Sequence, residues 1–191
     1  MIRNYNESDY DMVEYITEDY WKNEVEMDLE LQHFIYHFLV RYYLYDNKYS
    51  YVIDDGNVRA FLLSCLKNEK NNSIEFFNKS VLTLSNENQK KAYEYLKYIE
   101  DNHNRVLAHM NNDSVYLGLI ASKIHHGGMD LINKLISDVK ASGLGNIYLW
   151  TDETCNYKYY EKLNFELVET YFINLYDRTI KTFIYKRTIK K

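Results

Sequence analysis

Two short stretches carry residues whose types and spacing could do chemistry. The first is Lys123-Ile124-His125-His126-Gly127-Gly128-Met129, which follows the hydrophobic run Val115 to Ala121 and precedes a helical pattern. Backbone N–H groups at a helix start lack intrahelical acceptors and sit at the positive end of the helix dipole. They can hold a phosphate or diphosphate where no bulky side chain stands in the way. Gly127 and Gly128 would allow that approach, but paired glycines also serve simply to turn a chain or to seat a helix close to a strand, and spacing alone leaves both uses open. The G-x-G-x-x-G spacing of a dinucleotide-binding turn is absent. The second stretch runs from Asn156 to Phe165 and contains Tyr160. A phenol with an ordinary pKa of about 10 is protonated at neutral pH and can give its proton to an anion developing beside it. With 21 tyrosines in the chain, core packing is the ordinary fate of any one of them.

The remaining reactive groups form no pattern. Cys65 and Cys155 lack metal-ligand spacing and a disulfide framework, and no metal site is expected. No histidine-based activation pattern accompanies Cys155, so an acyl-cysteine route is not expected either. His109, Asp113, Asp28 and Glu30 carry the right chemistry for a general base, yet each reads more readily as a solvated or structural residue, and the base stays unassigned.

Elements must position these stretches. Ile2 to Asn4 can begin a strand, and Ser8 reads as a helix cap ahead of Met12, Val13 and Ile16. Leu31, Phe34, Ile35, Phe38, Leu39, Tyr42 and Tyr43 recur at steps of three and four, which places them on one face of a helix. Tyr49, Tyr51 and Ile53 alternate into a turn at Asp54 to Asn57, where Asp55-Gly56 supplies positive φ angles, and Val58 to Leu66 completes a hairpin. A polar, Asn-rich stretch follows, with a helix predicted from near Ser85 through Ala92, Tyr95, Leu96 and Ile99. The stretch at about 68–112 reads as a helical insertion with structure of its own or a part in shaping a site. Then come strand Val115 to Ala121, helix Gly128 to Ser142 ended by Gly143, and strand Ile147 to Thr151. This β-α-β unit predicts parallel strands joined by a right-handed crossover. Asn156 to Leu163 reads as a short helix, and Phe165 to Phe172 with Lys181 to Thr188 as an antiparallel pair.

A chain of 191 residues without a linker or internal repeat suits one domain, 1–191. The net charge of −5 argues against a nucleic-acid partner, and the basic residues at the C-terminal end read as a solvated tail. No stretch approaches roughly 18 uninterrupted apolar residues and no signal sequence opens the chain, so no membrane partner is expected and the cytoplasm is the simplest location.

Asn156-Tyr157-Lys158-Tyr159-Tyr160-Glu161-Lys162-Leu163-Asn164-Phe165, after the strand ending Trp150-Thr151-Asp152, resembles the pattern of the GNAT N-acetyltransferases, in which an Asn opens a short helix and Tyr-Glu-Lys-x-Gly-Phe leads into the next strand. The resemblance covers Val115 to Phe172 closely and the N-terminal part more loosely. It implies an α/β fold with a mixed, mostly antiparallel sheet, one splayed parallel strand pair and helices on both faces. It implies that acetyl-CoA is the cosubstrate and that a small-molecule or peptide amine is the acceptor. It places the pantetheine arm along Leu119, Ile120 and Ala121 and beside Asn156 and Tyr159. It places the diphosphate over Lys123, His126, Gly127, Gly128 and Met129, and makes Tyr160 the acid that protonates the leaving thiolate. The pattern is broken where Lys123 replaces Arg or Gln, His126 replaces the first glycine of the turn, and Asn164 replaces the glycine before Phe165. A non-catalytic coenzyme A-binding or protein-interaction module is the alternative, and a homodimer is one assembly left open.

Overall fold

Hydrophobic spacing and turn chemistry account for most of the elements in the computed structural model, which describes residues 1–21 and 27–190. Strand β1 (Ile2–Asn4) leads through a 3-10 turn, Glu7–Asp9, into α1 (Tyr10–Trp21). The cap is Asn6 and not Ser8. The Asn6 side chain accepts from the Ser8 N–H, and the Asp9 carboxylate accepts the Asn6 N–H, so the turn starts two residues earlier than expected. Arg3 then bridges Asp9 and Asp54, tying this corner to the sheet.

Helix α2 (Leu29–Tyr43) is capped by the Asp28 carboxylate, which accepts the Leu31 N–H, and it buries the whole face expected of it from Leu31 to Tyr43. Strands β2 (Tyr51–Asp54) and β3 (Val58–Leu66) form the expected hairpin, but of Asp55 and Gly56 only Gly56 takes positive φ, at 107°. Asp54 accepts the Gly56 N–H and holds the turn, so Asp55 need not be left-handed. Between β3 and the next strand lie α3 (Ser73–Ser80) and α4 (Asn86–His109), the latter capped by Ser85.

Strand β4 (Ser114–Ser122), α5 (Gly127–Ala141) and β5 (Asn146–Asp152) make the β-α-β unit, with Gly143 at φ 73° ending the helix as expected. A short helix, α6 (Lys158–Lys162), precedes Asn164, which takes the left-handed conformation at φ 58° in place of glycine. The closing strands are longer than expected. β6 (Glu166–Leu175) and β7 (Arg178–Thr188) meet at a turn where Tyr176 has φ 54°. That turn contains neither glycine nor proline, so nothing in the sequence punctuates it.

Among the described residues the seven strands form one sheet in the order β1-β2-β3-β4-β5-β7-β6, antiparallel except for β4 and β5. Helices α1 to α4 pack on one face, while α5 and the aromatic side chains of α6 pack on the other.

His103 of α4 is buried among the rings of Tyr42, Tyr43 and Tyr116, and its Nδ1 has no hydrogen-bond partner among the described residues. Burial drops its pKa from the ordinary 6.5 to about 4. Between those values the unfolded chain binds a proton that the folded chain refuses, so stability falls as pH is lowered through that window. Urea unfolding of the wild type is expected to lose on the order of 3 kcal/mol more than His103→Phe between pH 7 and pH 4.

Candidate active site

The two parallel strands do not stay together. β4 pairs with β5 at Ser114↔Asn146, Val115↔Ile147 and Tyr116↔Tyr148, and beyond that point both strands continue unpaired with one another. Gly118 stands at the point where they part. In the β3–β4 ladder Leu63 faces Leu119 and Ser64 faces Leu117, so Gly118 is an extra residue, and such a bulge bends the strand that carries it. The ring of Tyr43 occupies the place of a Gly118 side chain: a Cβ there would lie 2.2 Å from Tyr43 Cδ1. The Tyr43 hydroxyl accepts the Trp150 indole N–H at 3.0 Å and a weaker bond from the Tyr116 hydroxyl at 3.3 Å. Residues from α2, β4 and β5 therefore lock together where the strands part.

A cavity of about 480 Å³ runs through the opening. On the α5–α6 face its wall includes Ile120, His126, Gly128, Asn156, Tyr159 and Tyr160; on the α2–α4 face it includes Tyr36, Tyr43, Tyr95, Tyr98, Trp150 and Tyr176. Leu119 and Ala121 line it as well, whereas Lys123, Gly127 and Met129 stand outside its wall.

The turn before α5 is built differently from the simplest expectation. His126 is the N-cap residue and accepts the left-handed conformation, φ 62°, so the turn keeps its register. The Gly127 N–H is already committed to the Ile124 carbonyl, and a Cβ on Gly127 would fall 2.4 Å from Ser122 Oγ. Gly127 is therefore a glycine required by internal packing. At Gly128 the nearest atom to an added Cβ is 3.8 Å away, so this is the glycine that keeps the helix start open to the cavity. The Asp130 N–H is used by the His126 carbonyl, which leaves the Gly128 and Met129 N–H groups as the donors of the first turn without an intrahelical acceptor. The Lys123 ammonium is turned toward α1, 3.0 Å from Asp19 and 3.9 Å from the centre of the Tyr15 ring.

Tyr160 is wedged among Phe165, Tyr185 and Tyr159 at the cavity wall. Burial, reinforced by Cys155, Tyr20 and Tyr159, pushes its pKa well above the ordinary phenol value, so it is a protonated donor throughout the neutral range. Burial and Asp130 raise Tyr159 too. Asn156 is exposed and lines the cavity just before α6.

The four carboxylates and imidazoles considered as bases all hold structural positions: Asp28 caps α2, Glu30 accepts from Asn88, His109 meets Glu169, and Asp113 accepts from Asn146. Among the described residues, the carboxylate that does line the cavity is Asp152, at the end of β5. Its Oδ2 accepts the Tyr98 hydroxyl at 2.8 Å and its Oδ1 accepts the Thr154 N–H at 2.9 Å and the Thr154 hydroxyl. Sequence reasoning missed Asp152 together with Tyr98 and Trp150. The available signal was the position of Asp152 one residue past a strand predicted to splay.

No protein-family model and no curated protein sequence matches the chain. Solved structures do. The chain is similar to the ribosomal-protein-S18-alanine N-acetyltransferase from Escherichia coli, with 14% identity and a TM-score of 0.53 over 100% of this chain and 94% of that one. It is similar to an acetyltransferase described as GNAT-family from Desulfovibrio desulfuricans, with 12% identity and a TM-score of 0.57 over 100% and 99% of the two chains. The fold is that of the GNAT N-acetyltransferases. A third match is the C-terminal condensation domain of Ebony in complex with beta-alanyl-dopamine, with 9% identity and a TM-score of 0.67 over 99% and 98%. The seven-stranded mixed sheet and its parted parallel pair place this chain within the GNAT architecture.

Proposed function

We propose that this protein is an N-acetyltransferase that moves the acetyl group of acetyl-CoA to a primary amine. The observation that carries the reading is the opening between β4 and β5, where strand edges that would otherwise pair face a single cavity. A pantetheine arm is an extended chain with two amide groups, and unpaired strand edges require such partners. We assign it to the backbone of Leu119, Ile120 and Ala121, with Asn156 and Tyr159 across the opening. The diphosphate falls to the Gly128 and Met129 N–H groups at the start of α5, with His126 at the rim and Gly127 holding the turn in place. The names of the solved neighbours, N-acetyltransferases among them, support the same reading.

The reaction needs little beyond placement. The amine nitrogen bonds to the acetyl carbon, the carbon–sulfur bond breaks, and the sulfur keeps the electron pair and takes a proton from Tyr160. The amine gives its surplus protons to water, from which Tyr160 is reprotonated. Holding amine and thioester together supplies much of the rate. No enzyme nucleophile is required, and no metal enters the scheme. Cys65 and Cys155 are thiols outside any disulfide, which fits a reducing compartment, and we place the protein in the cytoplasm; among the described residues no helix is long and apolar enough to cross a membrane.

A second reading, a coenzyme A-binding module without catalysis, draws on the strained His126 and on Lys123 being held by Asp19. Calorimetric titration with acetyl-CoA, followed by thiol release on a panel of amines, separates the two. Binding with turnover is the expected result. Binding without turnover on any amine would select the module, and absence of binding would end both readings.

A further inference from the structure

The acceptor side of the cavity has a chemistry of its own. On the α2–α4 face the wall is aromatic, and the polar tips of Tyr36, Tyr98, Trp150 and Tyr176 are spent on the protein. The Tyr36 hydroxyl donates to the Trp21 carbonyl at 2.6 Å, the Trp150 N–H to Tyr43 at 3.0 Å, and the Tyr98 hydroxyl to Asp152 at 2.8 Å. The Tyr176 hydroxyl makes a long contact with Met27 Sδ at 3.8 Å. What these residues offer a ligand is ring faces and edges.

Among the described residues one carboxylate, Asp152, lines this cavity, and its Oδ2, which accepts the Tyr98 hydroxyl, retains room for another donor. Arg178 also lines the cavity and interacts with the protein. A peptide laid along this wall would bury N–H and C=O groups without partners, at a cost of about 1–3 kcal/mol each. Among the described residues, the second ammonium of a polyamine would find no second carboxylate on the cavity wall. One ammonium on Asp152, with a flat apolar body against Trp150 and Tyr176, leaves no polar group of the ligand without a partner, and the rings add cation–π attraction.

We propose that the acceptor is an arylalkylamine, a primary monoamine on an aromatic body, seated on the α2–α4 side with its ammonium held by Asp152. The assignment rests on the acetyl-transfer reading, but its first test does not. Both tryptophans of the chain, Trp21 and Trp150, line the cavity, so their fluorescence reports occupancy without any thioester. In the wild type, 2-phenylethylamine is expected to bind about 10- to 100-fold more tightly than its neutral isostere 2-phenylethanol, the range of a charge-assisted hydrogen bond. Asp152→Asn is expected to erase that difference while keeping acetyl-CoA affinity, which also shows that the variant is folded. With acetyl-CoA present, kcat/KM for 2-phenylethylamine should exceed that for spermidine and for an alanine-starting peptide by at least about 10-fold.

Equal binding of amine and alcohol to the wild type overturns the proposal even where Asp152→Asn fails to fold. Preferred turnover of spermidine or peptide overturns it too, while leaving acetyl transfer intact. Tight amine binding with no transfer to any amine overturns the acetyl-transfer reading, and the acceptor assignment falls with it.

Discussion

Tyr160→Phe is expected to lower kcat for acetyl transfer by about 100-fold, the usual scale for losing a positioned acid or a hydrogen-bond donor to a developing anion. The substitution deletes one oxygen and keeps the ring, so the contacts with Phe165, Tyr185 and Tyr159 survive and the cavity wall keeps its shape. Acetyl-CoA affinity should therefore stay within about threefold, because the hydroxyl acts on the charge that appears only as the carbon–sulfur bond breaks. The pH profile sharpens the test. Burial holds the Tyr160 phenol above its ordinary pKa, so its proton is present below that value and lost only above the raised one. The wild-type rate should show no alkaline decline from this group up to about pH 10, the ordinary phenol value. Stopped-time thiol release across pH 6 to 10, on both proteins, reads both effects. Equal kcat in the two would remove Tyr160 from the reaction.

The sequence carried the periodic parts of the fold well because those parts are decided locally. The apolar face of α2, the positive φ of Gly56 and the Gly143 terminator are each set by a few neighbouring residues, and the structure shows them as read. Errors arose where two local solutions compete or where no punctuation exists: Asn6 against Ser8 as a cap, Asp54 relieving Asp55 of a positive φ, and a β6–β7 turn built on Tyr176 without glycine. At the site, the sequence brought the β4 edge, the α5 start and Tyr160 into one neighbourhood through their order along the chain. It could not tell Gly127 from Gly128, because the difference is whether Ser122 stands 2.4 Å behind the Cβ, a fact of packing across the turn. Nor could it show Asp152 beside Tyr98, a contact between residues 54 positions apart that exists only once α4 lies over β5. The tyrosine excess hid the acceptor wall for the same reason: 21 tyrosines are uninformative until the fold says which of them face one space.

Gly118→Ala tests what parts the strands. An added Cβ would lie 2.2 Å from Cδ1 of Tyr43 and 2.9 Å from two other atoms of its ring, well inside contact distance. The ring cannot simply swing aside, since its hydroxyl is bonded to Trp150 and Tyr116 and its faces are packed by Tyr42 and His103. Overpacking of this kind costs about 1–3 kcal/mol, and relief by straightening β4 would close the opening toward β5. The expected result is a loss of about 2–3 kcal/mol in urea unfolding, with acetyl-CoA affinity reduced by more than about 10-fold. Tyr43→Leu should remove the clash, so the double variant should be more stable than the sum of the two single changes predicts, by about 1 kcal/mol or more. Additive stabilities with unchanged acetyl-CoA binding would mean that the Gly118–Tyr43 contact does not hold the strands apart. The opening would then have to come from the α5 turn, where His126 already bears a left-handed φ and Gly127 is pressed against Ser122.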